Sequence, residues 1–188
     1  MKAITLWQPW ASLVALGEKR FETRSWATKY RGPIAIHAAK NYPLYAQTLA
    51  ELDAQFLRSL GHEFGDDKFK KLPFGFVIAV AELVECWRIV EHPGTNVDIA
   101  KHIQVGAESL TNDKHAPDFA DEQEMLFGDW APGRYAWQLD NVHQLVTPIP
   151  AKGRQRIWNF DETPQGIRHG KQVLPGSEDA VSGLEVVV

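Results

Sequence analysis

The residues best suited to chemistry lie in one short run, GEKRFETR at Gly17–Arg24, which we call the charged run. Lys19 and Arg24 supply hydrogen-bond donors for a phosphate or carbonyl oxygen, and the planar guanidinium of Arg24 can bind two oxygens at once. Glu22 can accept a hydrogen bond from an exocyclic amino group or act as a base. The charged run therefore predicts a site for a polar ligand. A surface salt bridge beside a helix end is the structural alternative.

Tryptophans stand on both sides of the charged run. The chain has seven of them, and Trp7, Trp10 and Trp26 lie close to the charged run in sequence. An aromatic ring beside Lys and Arg can stack on a nucleobase while the cations bind the nucleic-acid backbone. Burial in the core is the alternative role for these three rings, and it is the role expected for Trp137 and Trp158.

Three residues elsewhere complete the set of candidates. His37 lies in a strand-like segment directly after a core Ile, which favours a structural, hydrogen-bonding role over catalysis. Lys40 follows the same segment. Tyr135 comes after the Pro132–Gly133 turn, where it can rim a site or simply begin a strand.

Other kinds of site have no support in the sequence. The seven His residues show no HxxxH or HExxH spacing, and the single Cys, Cys86, lacks a second Cys, so neither a metal site nor a cofactor is expected. There is no P-loop, GxGxxG or GxSxG run. Nucleotide hydrolysis, dinucleotide use and serine-hydrolase chemistry are therefore not indicated.

The charged run begins where a predicted helix ends. Apolar residues recur at helical spacing from Pro9 to Leu16, and Gly17 is suited to the position just past the C-cap. Lys19 and Arg20 then follow the helix end, where cations interact favourably with the carbonyl dipole.

A predicted strand carries the second half of the charged run. Phe21–Trp26 alternates, so Glu22, Arg24 and Trp26 share one face while Thr23 points to the other. Glu22 and Arg24 can therefore pair with each other, and both can reach a ligand in front of them.

The remaining pattern indicates an α+β fold. Further strands are predicted at residues 1–6 and 33–39, a long strand or hairpin at 75–90, and at 128–139 a turn running into a strand that can continue to 146. Helices are predicted at residues 44–60 and 97–107. Five or six strands with two or three helices suit a small β-barrel whose openings are covered by helices.

Length and charge set the domain organisation. We assign residues 1–160 of the 188 to one domain, with an acidic insertion at about 93–129, and residues 161–188 to a C-terminal tail. Within the insertion, residues 118–124 are expected to form a solvated loop or helix end, and the final GLEVVV can form an edge strand.

The net charge is −4, but residues 1–40 carry +5 and residues 152–171 carry +3. These two basic segments form a local positive surface if they meet in the fold. Chance clustering on a solvated surface is the alternative.

The expected location is the cytoplasm, with no membrane partner. Residues 1–20 lack the pattern of a signal peptide, and no apolar stretch approaches the ~18–20 residues that span a bilayer. A single Cys fits a reducing compartment. The acidic insertion leaves open a third class of function, that of a protein-interaction module.

Several blocks of the sequence together resemble the ASCH domain family. QPWASL is followed by GEKRFETRSW, which contains the family's hallmark GxKxxExR at Gly17–Arg24. The blocks PIAIHAAK, GFVIAVAELVEC, GDWAPGRYAWQL and GRQRIWNF follow in order. The resemblance covers about residues 1–160 and leaves out the acidic insertion and the tail.

The resemblance implies a PUA-like β-barrel with a cleft between its first helix and the barrel. It also implies that the ligand is RNA or a modified nucleoside. Matched by position, Lys19, Glu22 and Arg24 line this cleft and Gly17 sets the turn before them. The residues expected at the edge of the cleft are Trp7, Gln8, Pro9 and Trp10.

Some ASCH-like proteins are enzymes, which gives an alternative function. One bacterial branch is an amidohydrolase that removes acetyl from N4-acetylcytidine with a Lys, a Thr and a Glu. This chain keeps Lys19 but has Glu22 where that branch has Thr, and Thr23 points to the opposite face. A metal-independent ribonuclease is the other enzymatic possibility, and it requires Lys19, Glu22, His37 and Tyr135 to converge.

Overall fold

The computed structural model describes residues 1–41, 43, 72–91, 105–109, 122–162 and 167–168. These residues form eight strands and two helices. In chain order they are β1 (Lys2–Leu6), α1 (Trp10–Ala15), β2 (Phe21–Arg24), β3 (Gly32–Ala38), β4 (Phe76–Glu91), β5 (Val105–Ser109), α2 (Glu122–Phe127), β6 (Tyr135–Pro150), β7 (Ile157–Asn159) and β8 (Ile167–Arg168).

The strands form one hydrogen-bonded sheet with the order β2-β6-β4-β3-β1-β7. Two short strands lie off this path, since β5 pairs with β4 and β8 pairs with β6. Strand β1 runs parallel to β3 and antiparallel to β7. Six strands on the main path and two short helices confirm the predicted class, an α+β fold of the small β-barrel type.

The chain divides into two compact units. The first unit comprises the described residues of Met1–Glu18, Ile34–Val80 and Val142–Val188, and the second those of Lys19–Pro33 and Ala81–Asn141. The charged run is therefore shared, with Gly17 and Glu18 in the first unit and Lys19–Arg24 in the second.

Strands β1 and β3 supply much of the core of the first unit. They pair in parallel, with Ile4 opposite Ile36. Parallel strands are usually covered on both faces, and all residues of β3 from Ile34 to Ala38 are buried. One core cluster of this unit consists of Ala3, Ala35, Val77, Val80, Leu145, Trp158 and Phe160.

The core of the second unit is built on aromatic rings. Phe21 of β2 meets Trp130 edge-on, with 6.0 Å between the ring centroids. Trp87 and Ile89 of β4 and Ala136 of β6 complete this cluster, and Met125 of α2 packs against it. Such edge-on aromatic pairs stabilise a core beyond the area that they bury.

The expected core residues are confirmed. Cys86 is fully buried in β4, and Trp137 and Trp158 are buried in β6 and β7. Residues 75–90, expected as a long strand or hairpin, form the single strand β4.

Two element predictions differ from the structure. Residues 105–107, predicted to end a helix, lie in β5 and pair with Ile89–Glu91 of β4, so sheet pairing overrides a weak helical pattern. Strand β6 continues beyond the predicted end at residue 146 to Pro150. The predicted helix at 44–60 and the predicted edge strand GLEVVV lie outside the described residues.

Candidate functional site

Helix α1 ends at Gly17 as predicted. The N–H of Gly17 donates to the carbonyl of Val14, and the N–H of Glu18 donates to the carbonyl of Leu13, both at 2.9 Å. This pair of bonds is the Schellman motif, which needs a left-handed residue. Gly17 supplies it with a φ of 76°.

The residues before α1 differ in how much they are exposed. Trp7 is exposed, Trp10 is half-buried, and Gln8 and Pro9 are buried. The Gln8 side chain accepts a hydrogen bond from the Ser12 N–H at 3.1 Å and donates to the Pro73 carbonyl at 2.8 Å. The Gln8–Pro9 peptide bond is cis. Trp7 is therefore the member of this group with the most surface to offer a ligand.

Lys19, which was expected to donate to a ligand, is buried. Its side chain is 1% exposed. The Nζ atom donates to the backbone carbonyls of Phe21 and Phe127, the second at 2.9 Å, and lies 3.8 Å from Glu22 Oε2. Burial lowers the pKa of Lys19, while the charges of Glu22 and Glu124 oppose this shift. Lys19 thus acts as an internal donor within the second unit.

Glu124 of α2 is a site residue that the sequence analysis missed. Residues 118–124 were expected to be solvated, but Glu124 is 1% exposed. Its carboxylate accepts hydrogen bonds from the backbone N–H groups of Arg20 and Phe21, the latter at 3.4 Å. Burial raises the pKa of Glu124, and the charge of Lys19 is the main opposing influence. The sequence holds no signal for this role, because the burial of Lys19 and Glu124 depends on segments about a hundred positions apart.

Glu22 and Arg24 form the ion pair that strand alternation predicts. Arg24 Nε lies 3.0 Å from Glu22 Oε1, and the two side chains are 27% and 13% exposed. Glu22 stands opposite Trp137 and Arg24 opposite Tyr135 in the β2–β6 register. Since directly opposed residues of an antiparallel pair share a face, these four side chains belong to one face of the sheet.

Trp26 adds an aromatic ring beside this face. Its ring centroid is 4.6 Å from that of Trp137, and the two ring planes are at 90°. The indole N–H of Trp137 donates to the carbonyl of Trp26 at 3.3 Å, which fixes the chain after β2. Trp26 is half-buried, so part of its ring is accessible.

Thr23 faces the other way, as predicted. Its hydroxyl accepts a hydrogen bond from the Asp129 N–H at 2.9 Å. Asp129 in turn pairs with Arg134 at 3.2 Å, and Arg134 Nε also donates to the Asp129 carbonyl. Thr23 therefore braces the turn before β6 and does not stand beside Glu22.

His37 and Lys40 lie in the first unit. His37 is buried, and its Nε2–H donates to the carbonyl of Ala151 at 3.0 Å. Its ring meets that of Trp158 edge-on, and burial lowers its pKa. These contacts are consistent with the structural, hydrogen-bonding role favoured for His37, which stays a prediction. Lys40 is exposed.

The predicted site residues therefore form two groups. Those of the second unit are Lys19, Glu22, Arg24, Trp26 and Tyr135. Those of the first unit are Trp7, Gln8, Pro9, Trp10, Gly17, His37 and Lys40. The contacts given above join Lys19, Glu22 and Arg24 directly.

The described residues contain neither a metal-binding cluster nor a membrane-spanning helix. Within the described ranges, no group of three His, Cys, Asp or Glu side chains is arranged to hold a metal ion. Across the same part of the chain, no helix has the length and apolar character needed to cross a membrane.

Comparison with known proteins identifies the family. The model of the ASCH domain matches residues 4–130. The chain is 29% identical over 170 residues to "Activating signal cointegrator 1" of Mus musculus and 28% identical to the Homo sapiens protein of the same name. The match covers 89% of this chain and 24% of each relative, so the chain spans about a quarter of their length. The chain belongs to the ASCH domain family.

Proposed function

We propose that this chain binds RNA or a modified nucleoside through the face of the second unit that carries Glu22 and Arg24. The observation that carries the proposal is the fixed position of the Glu22 carboxylate. Its Oε1 lies 3.0 Å from Arg24 Nε and its Oε2 lies 3.8 Å from Lys19 Nζ. A carboxylate held at both oxygens is preorganised, so its side chain loses little conformational entropy when a ligand binds.

The chemistry of this face suits a nucleobase. Glu22 can accept a hydrogen bond from an exocyclic amino group, as carboxylates accept from cytosine N4. Arg24 carries a planar set of donors for a carbonyl or phosphate oxygen. Trp26 and Tyr135 can supply aromatic surface for stacking, which is the usual way in which proteins hold unpaired bases. The ASCH family membership supports the same ligand class.

The division of labour differs from the sequence-based expectation. Lys19 was expected to contact the ligand, but its ammonium is buried and engaged by the Phe21 and Phe127 carbonyls. We therefore assign ligand contact to Arg24 and Glu22, and assign to Lys19 the support of Glu22.

The test is a binding titration with short RNA oligonucleotides, followed by Trp fluorescence and by anisotropy of a labelled RNA. Replacing Arg24 by Ala removes a charge-assisted bond, so we expect binding to weaken about 10- to 100-fold. Glu22→Gln should change the preference among bases more than the overall affinity. Arg88→Ala is the matched control, because Arg88 is an exposed cation of the same unit on β4. Equal affinities of wild type and Arg24→Ala would refute the proposal.

A second candidate function is the hydrolysis of an acylated nucleoside, favoured by one observation. Lys19 is buried with a lowered pKa and its Nζ lies 3.8 Å from Oε2 of Glu22, the group that would act as the base. In such a reaction Glu22 takes a proton from water, the hydroxide adds to the acyl carbon, and the C–N bond breaks as the amine receives that proton. Acetate released from N4-acetylcytidine by wild type but not by Glu22→Gln would support this function. Absence of acetate with folded, RNA-binding protein would rule it out for this substrate.

A further inference from the structure

We propose that the first unit carries a second nucleic-acid contact, the basic–aromatic surface, formed by Trp7, Lys40, Lys152 and Arg154. Its ligand is the phosphate backbone of single-stranded nucleic acid. The proposal rests on the proposed function in one respect, because both require nucleic acid as the ligand. It uses neither Glu22 nor Arg24, so the two proposals can fail separately.

Strands β1 and β3 end side by side, at Leu6 and Ala38. The two strands run parallel, with Leu6 opposite Ala38, and the N–H of Ala39 donates to the carbonyl of Leu6 at 2.8 Å. Trp7 directly follows Leu6, and Lys40 directly follows Ala39. Neighbouring strands lie about 5 Å apart, so the segments that bear Trp7 and Lys40 leave the sheet side by side.

The segment that follows β6 is linked to the end of β3 through Gly75. The N–H of Gly75 donates to the carbonyl of Ala38 at 2.8 Å, and the N–H of Ala151 donates to the carbonyl of Gly75 at 3.0 Å. A Cβ atom on Gly75 would lie 3.6 Å from Lys40 Cβ, so the Lys40 stem lies against this glycine. Lys152 directly follows Ala151. Backbone bonds therefore link the segments that bear Trp7, Lys40 and Lys152.

Residues 151–154 are anchored by contacts with His37. The carbonyl of Ala151 accepts the hydrogen bond of buried His37 at 3.0 Å. Gly153 lies so close to the His37 ring that a Cβ there would be 2.5 Å from Cε1 and 2.9 Å from Thr5 Oγ1. Lys152 stands between these two fixed points, and Arg154 follows them. The backbone beneath both cations is thus held in place.

The residues of the basic–aromatic surface are exposed, and three of the four are cations. Trp7 is 44% exposed, and Lys40, Lys152 and Arg154 are exposed. The described residues of the first unit hold six Lys and Arg against three Asp and Glu, a net +3, whereas the whole chain carries −4. Of the Lys and Arg residues in 1–40, Lys40 is the one that this surface includes, beside Lys152 and Arg154 from the second basic segment.

These features favour nucleic acid over other anions. Cations that follow the backbone, with an aromatic ring on which a base can stack, are typical of surfaces that bind single strands without sequence preference. Phosphate contacts position such a strand, while base contacts elsewhere specify it. We infer that the basic–aromatic surface supplies position and affinity without sequence preference.

The experiment measures the salt dependence of binding to a short oligouridylate and an oligothymidylate. On single strands each phosphate contact contributes about 0.7 to the slope of log K against log salt. Lys40→Ala combined with Lys152→Ala should therefore lower the slope by about 1.4 for both ligands. The ratio of Kd values at about 200 and 50 mM salt should fall about sevenfold. Trp7→Ala should weaken binding with little change in slope.

Lys2→Ala is the control, because Lys2 lies at the opposite end of β1 and donates to Asn159 at 2.8 Å. Its slope should equal that of wild type. An unchanged slope in the double variant, with binding still lost in Arg24→Ala, overturns this proposal and leaves the proposed function standing. A reduced slope in the double variant, with no effect of Arg24→Ala, supports this proposal and refutes the proposed function. If neither oligonucleotide binds, both proposals are refuted.

Discussion

The ammonium of Lys19 donates a hydrogen bond to the carbonyl oxygen of Phe127 at 2.9 Å, across 108 positions of the sequence. This bond ties the charged run to the last residue of α2. Glu124, in the same helix, holds the backbone N–H of Arg20 in return. The Lys of the family hallmark is therefore part of the internal structure of the second unit.

Replacing Lys19 by Met should strongly destabilise the protein. The substitution keeps the length of the side chain but leaves the Phe21 and Phe127 carbonyls without their donor and removes the buried cation beside Glu22. Breaking a buried pair by removal of one partner costs about 3–5 kcal/mol. Urea unfolding followed by Trp fluorescence measures the loss. Lys29→Met, at an exposed position, should change stability by no more than about 0.5 kcal/mol.

Adding Glu124→Gln to Lys19→Met should recover part of that loss. The double variant no longer buries a carboxylate that has lost the charge of Lys19 and keeps only Arg20 as its cation, so the two effects should not add. Strict additivity of the two single changes would show that Lys19 and Glu124 do not interact.

His37 should make the stability of the first unit depend on pH. Burial lowers its pKa in the folded protein below the ordinary 6.5. The unfolded chain therefore binds more protons than the folded one as the pH falls below that value, and stability is lost on acidification. His37→Gln keeps a donor for the Ala151 carbonyl but cannot titrate. We expect its stability to change less between about pH 7 and pH 5 than that of wild type. Parallel pH profiles of the two proteins would contradict the prediction.

Gly17→Ala should weaken the end of α1. Gly17 has a φ of 76°, and a Cβ there would meet no atom within 4 Å. The cost is therefore conformational, about 1–2 kcal/mol for an L-residue in the left-handed region. Gly17→Asn should cost less, because Asn tolerates this region better. Thermal unfolding of the three proteins ranks them, and an Ala variant as stable as wild type would be inconsistent with the left-handed turn.

Gly153→Ala should disturb the segment that carries Lys152. The added Cβ would lie 2.5 Å from His37 Cε1, so either the ring or the backbone must move. Overpacking of this kind costs about 1–3 kcal/mol. Combining the change with His37→Ala should relieve the clash, which a double-mutant cycle by urea unfolding can measure. If the cycle shows no coupling, the segment does not rest on His37.

Local features of this protein could be read from the sequence because they depend on near neighbours in the chain. Gly17 ends α1 through bonds to residues only a few positions away. The pleat of β2 alone puts Glu22 and Arg24 on one face and Thr23 on the other. The burial of Trp137 follows from its place between Tyr135 and Leu139 on one face of a predicted strand.

Tertiary structure decided which charged groups are exposed. Nothing near Lys19 in sequence predicts that its ammonium points inward, because Phe127 and Glu124 reach it from more than a hundred positions away. The same holds for β5, whose residues 105–107 become a strand only by pairing with β4. The sequence by itself thus determined the family, the fold class and the local geometry of the charged run. Long-range packing assigned Lys19 to the interior and left Glu22 and Arg24 partly exposed, since burial depends on segments that meet only in the folded chain.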